Sequence, residues 1–121
     1  MMKSPRPTTS VVRKAGRPVV PRCEVATGFW SRFFGLMGRP GLAAEHGLYF
    51  PNCNAIHTFF MRFPIDVIYL DATLTVVDVD LALAPWRLGK PRWKAKHVLE
   101  LPAGRVAHLG IAVGDRLEVG V

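Results

Sequence analysis

Between Ile56 and Asp71 the chain reads Ile-His-Thr-Phe-Phe-Met-Arg-Phe-Pro-Ile-Asp-Val-Ile-Tyr-Leu-Asp, its most apolar and β-prone stretch, with His57, Arg62 and Asp66 set inside it. Aromatic and β-branched residues suit a pleated, buried surface, and Pro64 gives no ladder donor while keeping Phe63 extended. The stretch therefore predicts two short core strands, Ile56 to Met61 and Ile65 to Leu70, divided at the proline. Alternation by two places Asp66 on the side of Ile68 and Leu70. A carboxylate buried there without partners costs several kcal/mol or is pushed to a higher pKa, so an Arg, a His or backbone N–H groups must meet it. Arg32, Arg39, His57 and Arg62 are the available side chains.

Further strand signals flank this pair. Val19 to Ala26, bent at Pro21, Gly47 to Phe50, Leu74 to Asp80, His97 to Leu101 and Arg116 to Val119 are all short and rich in β formers. Asp71-Ala72-Thr73 reads as a hairpin loop, and Arg105 to Leu109 as a short helical piece. Thr27 stands at a helix N-cap position, and Phe29, Trp30, Phe33, Leu36 and Met37 follow at helical spacing up to Gly38. The pattern predicts a mainly β single domain, an antiparallel β-sandwich or partly closed, jelly-roll-like barrel with one short helix at Thr27 to Gly38.

At 121 residues the chain has room for one core. Its net charge of +7 is unevenly placed: six of the sixteen Lys and Arg residues precede the first acid, Glu24, leaving ten against nine acids in the remainder. Residues 1–18 are expected to be a basic, flexible tail and residues 19–121 the domain. No run is apolar and long enough for a membrane helix or a signal peptide, and two cysteines make neither a zinc pattern nor a disulfide framework, which together predict a cytoplasmic protein.

Four stretches recur in a recognisable order: Arg32-Phe33-Phe34-Gly35-Leu36-Met37-Gly38-Arg39, Phe60 to Asp71, Val98-Leu99-Glu100-Leu101-Pro102-Ala103-Gly104, and Gly114-Asp115. In these the chain resembles the bacterial and archaeal family of domain of unknown function (DUF) 192 across residues 23 to 119. The resemblance implies a mostly antiparallel β domain of jelly-roll or barrel character and no particular reaction. Many relatives have Trp-Met-Lys-Asn where this chain has Phe60-Met61-Arg62-Phe63.

Polar residues interrupting apolar elements make Arg32, His57, Met61, Arg62 and Asp66 the candidate wall of a small-ligand pocket. Glu100 alternates with Leu99 and Leu101 and is assigned to a wetter face. Cys53 and His57 are too far apart on a strand to share an ion, and the pair, with its neighbouring asparagines, lacks the pattern of a nucleophile set, so neither a metal nor a cofactor is expected. Arg87, Lys90, Arg92, Lys94 and Lys96 surround Trp86 and Trp93, which offers phosphate contacts and stacking surfaces, although a solvated loop with its tryptophans folded back on the domain is the favoured arrangement. Without a converging nucleophile, base and charge-stabilising donor, the residues favour a non-catalytic binding or accessory domain for a small molecule or a protein. Nucleic-acid binding through the tail and the Arg87-to-Lys96 loop is the alternative, and an enzyme using Asp66 the second.

Overall fold

The computed structural model describes residues 8–27 and 36–120. Among these, seven strands form one mixed sheet: β1 (Thr8–Lys14), β2 (Arg17–Val25), β3 (His46–Pro51), β4 (Ile65–Leu70), β5 (Val76–Leu83), β6 (His97–Pro102) and β7 (Leu117–Gly120). Their order across the sheet is β5-β4-β6-β3-β2-β1-β7. Every pairing is antiparallel except β2 with β3, which run parallel. That departure from a purely antiparallel sheet follows from the long connection after β2, because a parallel neighbour needs a crossover where an antiparallel one needs only a turn.

Residues 8–18 do not form the expected basic tail. Thr8–Lys14 pairs with β2 through a hairpin turned at Ala15 and Gly16 and with β7 on its other side, and Val12 is fully buried. Val12 and Val20, with Val19 packed against the same core, supply the apolar contacts that the Pro- and Arg-rich composition obscured. The predicted helix at Thr27 to Gly38 lies mostly outside the described residues, of which Leu36–Gly38 forms a turn. The helix that is described is short, Arg105–Leu109, between β6 and β7.

The sheet curls until its two edges meet at one corner. There Val76 donates to the Asp115 carbonyl at 2.8 Å, Leu117 to the Leu74 carbonyl at 2.9 Å, and Thr75 bridges to Arg116. Beyond that corner β5 and β7 share no ladder, so the sheet is not closed into a barrel. Inside the curl lie Val12, Val20, Tyr49, Ile68, Leu70, Leu99, Leu101, Val106 and Leu117, a continuous apolar core. Gly47 belongs to this packing: a Cβ there would come within 2.9 Å of both Leu101 and Val20.

The outer face is covered as well. Leu48, Phe50, Ile65, Val67, Tyr69 and Val98 form a second core with Leu36, Ile56, Met61 and Ala95, which come from loops laid over the sheet. With both faces covered, all six residues of β4 are buried. A strand covered on both sides reads as a continuous apolar run, which is why Ile65–Leu70 stands out in the sequence.

Candidate functional site

Asp66 points into the inner core, 1% exposed, and its partners are backbone groups. Oδ1 accepts the Ala82 N–H at 2.9 Å and Oδ2 accepts the Val106 N–H at 2.9 Å. Val106 lies in the first turn of the helix Arg105–Leu109, and Ala82 in β5 has a left-handed backbone, φ 49°. One carboxylate thus fixes a helix start and an irregular edge strand to β4. Met61 lies on the other face of the sheet, in the outer core, and Arg62 is exposed. The structure therefore does not bring Asp66 together with Met61 and Arg62 in one wall, and Arg32 lies outside the described residues.

Ile56 to Met61, expected as a strand, is a loop. His57 makes a single bridge to Leu88, and Phe60 takes a left-handed backbone, φ 62°. Thr58 accounts for the shape. Fully buried, its hydroxyl donates to the Ala84 carbonyl at 2.7 Å and accepts the Arg87 N–H at 2.8 Å, while its backbone exchanges hydrogen bonds with Trp86 and Arg87. From there the two segments run side by side: Gly89 donates to Ile56, Arg92 to Asn54 and Cys53 to Lys96. Ile56, Thr58 and Met61 are buried there while Phe59 and Phe60 are exposed, so β propensity marks burial only in part, and the partner segment is another loop.

Arg92 locks the outer end of that loop to the sheet. Its Nε donates to Asp78 at 2.9 Å, its Nη2 to Asp80 at 2.6 Å and its Nη1 to the Tyr69 hydroxyl at 3.0 Å, with the guanidinium 4.1 Å from the Tyr69 ring centre. The hydrogen bond from Arg92 holds Asp78 below its ordinary pKa, and burial, then the bond to Asp80, pushes Tyr69 upward. Arg92→Lys keeps the charge but loses the fork, and should lower unfolding free energy by about 1–2 kcal/mol in a urea titration.

Among the described residues the fully enclosed side-chain polar atom without a hydrogen-bond partner is Arg105 Nε, and Glu100 is a second buried group, a carboxyl whose charge is opposed by burial. β6 sits between β3 and β4, with Glu100 paired to Leu48 on one side and Val67 on the other. Its side chain takes the outer face, the side of Leu48 and Val67, and the residue is 4% exposed, not on a wet face as the alternation had suggested. Among the described residues its carboxyl has no hydrogen-bond partner; the cation acting on it is Arg39. Burial raises its pKa to about 8, against a lowering by Arg39. Arg39 is itself half-buried and paired at 3.1 Å with Glu24, and the Gly38 N–H bonds to the Phe60 carbonyl, which seats this turn beside Met61. Glu100 thus lies between Leu48 and Val67 of the outer core, to which Leu36 and Met61 also belong, with the pKa of its carboxyl pushed by burial to about 8 and the Arg39–Glu24 pair acting on it.

The model of the family DUF192, "Uncharacterized ACR", matches residues 10–119. The chain belongs to the DUF192 family. A UPF0127 protein of Pyrococcus abyssi is 47% identical to this DUF192 domain over 100 residues, 80% of this chain and 85% of the relative. Among solved structures, one from Sinorhizobium meliloti 1021, described as "a putative transcription regulator", superimposes with a TM-score of 0.84 at 27% identity, covering 97% of this chain and 98% of that one. A protein of unknown function from Novosphingobium aromaticivorans DSM 12444 gives 0.76 at 26% identity, over 93% and 84% of the two chains.

In this DUF192 domain the remaining candidates have local roles. Cys53 donates to the Ala55 carbonyl at 2.9 Å, and His57 Nδ1 accepts the Phe59 N–H at 3.2 Å. No group of three or more His, Cys, Asp or Glu that could hold a metal occurs among the described residues, and none of their helices is long and apolar enough to cross a membrane. Trp86 and Trp93 are not folded back: they are 59% and 85% exposed. Arg87, Lys90, Lys94 and Lys96 are exposed too, whereas Arg92 is committed to its acids.

Proposed function

We propose that this domain is a non-catalytic binding module that holds a small, largely apolar molecule against Met61 and the carboxyl of Glu100, with Arg39 beside them. The observation that carries this reading is Glu100 itself, a carboxyl in the middle of a covered sheet with no hydrogen-bond partner among the described residues. Such a group costs folding free energy, and a few polar groups set in an apolar wall are the usual make-up of a ligand site. At neutral pH the protonated carboxyl donates one hydrogen bond, and the guanidinium of Arg39 has donors beyond the one given to Glu24. The complementary molecule is one whose apolar body ends in an acceptor.

Binding is favoured over catalysis because the groups a reaction would draw on are engaged elsewhere: Asp66 with two backbone N–H groups, Cys53 and His57 with their own loop. Two free cysteines support a reducing, cytoplasmic setting for this role. A thermal-shift screen of small carbonyl and carboxylic compounds tests the reading. A compound at a hundredfold excess over its Kd should stabilise the wild type by about 2.7 kcal/mol and Glu100→Leu far less. Compounds that stabilise both proteins equally would place the site elsewhere.

A further inference from the structure

The two loops zipped by Thr58 expose a group of rings that the ligand site does not use. Trp86 stands 4.7 Å from Phe60 and 6.5 Å from Phe59, measured between ring centres, and Phe59 stacks on His57 at 5.3 Å. Phe60 is 58% exposed, Trp86 59% and Leu88 73%. Both Phe60 and Trp86 hold left-handed backbones, φ 62° and 63°, a conformation unfavourable for bulky residues that persists only where surrounding structure imposes it. Here the imposing structure is the set of hydrogen bonds around Thr58, which turns both rings outward. Strain that presents apolar rings to water is not what a purely structural loop requires.

The two loops themselves are basic, and the neighbouring acids Asp78 and Asp80 are taken up by Arg92. Neither residues 52–64 nor residues 84–97 contain a single Asp or Glu, while Arg62, Arg87, Lys90, Lys94 and Lys96 are all exposed. Moving along the zipped loops from Trp86, the backbone pairings lead to Lys96, where a shallow cleft of about 420 Å³ opens between Asn52, Cys53, Asn54, Ala95 and Lys96. Rings at one end, cations along the length and an amide-lined cleft at the other fit a polymer that alternates flat bases with phosphates.

We propose that this ridge binds single-stranded nucleic acid, with bases stacking on Trp86 and Phe60 and phosphates held by Arg87, Lys94 and Lys96. A duplex keeps its bases stacked on one another and offers them no ring to cover, so single strands are preferred. Because the site rests on exposed rings and cations, it is independent of Glu100.

The test is fluorescence anisotropy of a labelled 12-nucleotide oligothymidine, its RNA counterpart and a 12-base-pair duplex with the full chain, alongside co-sedimentation with vesicles of phosphatidylserine and phosphatidylcholine. Single strands should bind, with log affinity falling linearly in log salt at about 0.7 per phosphate neutralised. Trp86→Ala should weaken binding about tenfold at every salt concentration, the loss of one stacked base. Lys94→Ala with Lys96→Ala should weaken it and flatten the salt dependence. Circular dichroism checks that each variant is folded, and since Trp86, Lys94 and Lys96 are exposed, both variants should be. No binding of single strands at low salt, equal affinity for the duplex, unchanged affinity in folded Trp86→Ala, or binding to the vesicles in place of the oligonucleotides would each overturn the proposal, the last assigning the ridge to a membrane surface.

Discussion

Glu100→Gln should leave stability near pH 5 within about 1 kcal/mol of wild type and exceed it by a few kcal/mol at pH 9, measured by urea unfolding at each pH. In the unfolded chain this carboxyl titrates near 4.5, whereas in the folded domain burial raises its pKa to about 8. Between those values the folded state holds a proton that the unfolded state has released. Stability therefore declines as pH rises from about 4.5, at up to about 1.4 kcal/mol per pH unit, and levels off above about 8. Arg39 opposes the shift and Glu24 competes for Arg39, so Glu24→Gln, which frees the guanidinium, should bring the upper end of this window down. Glutamine keeps the shape of the side chain and cannot ionise. A wild type and variant that keep the same separation from pH 5 to pH 9 would show that Glu100 titrates as an ordinary surface carboxylate.

Asp66→Asn is expected to cost about 2–4 kcal/mol at neutral pH. Each carboxylate oxygen accepts one buried N–H, from Ala82 and from Val106. An amide can accept one of them, but its NH₂ must then face the other donor, and the charge that strengthens both bonds is gone. Hydrogen exchange separates this from a diffuse loss of stability: the amides of Ala82 and Val106 should lose protection beyond the global change, because the helix Arg105–Leu109 and the edge of β5 lose their shared anchor. Protection that falls evenly across the sheet would contradict the clamp.

Asp66 was visible in the sequence for a sound reason, and its role was only half legible. A carboxylate in an apolar strand must have partners, and backbone N–H groups were among those anticipated. Which N–H groups, forty and sixteen residues away, depends on the curl of the sheet, to which Asp66 gives no local clue. Ile65–Leu70, His97–Pro102 and the short helix at Arg105–Leu109 were readable because local preference and tertiary burial agree there. Ile56 to Met61 misled because the same aromatic and β-branched residues serve equally in a loop whose ladder partner is another loop. Thr8–Lys14 was missed because its Thr, Ser, Arg and Lys outweigh two valines in composition, although Val11 and Val12 lie shortly before a turn at Ala15-Gly16 that suits a hairpin. Glu100 was misassigned because alternation tells which side of a strand a residue takes but not whether that side is covered. The covering comes from Leu36, Ile56 and Met61, all distant in sequence. One signal for it existed: β6 reads His-Val-Leu-Glu-Leu-Pro, and a lone acid in so apolar a strand invites the same question that Asp66 raised.

Whether the buried carboxyl of Glu100 holds its proton is measured most directly by its own titration in carbon-13 NMR, the side-chain carboxyl being assigned by its loss in Glu100→Gln. The predicted result is a midpoint near pH 8 in the free protein that moves on addition of a compound found in the thermal-shift screen. A midpoint between 4 and 5, unmoved by any such compound, would contradict it.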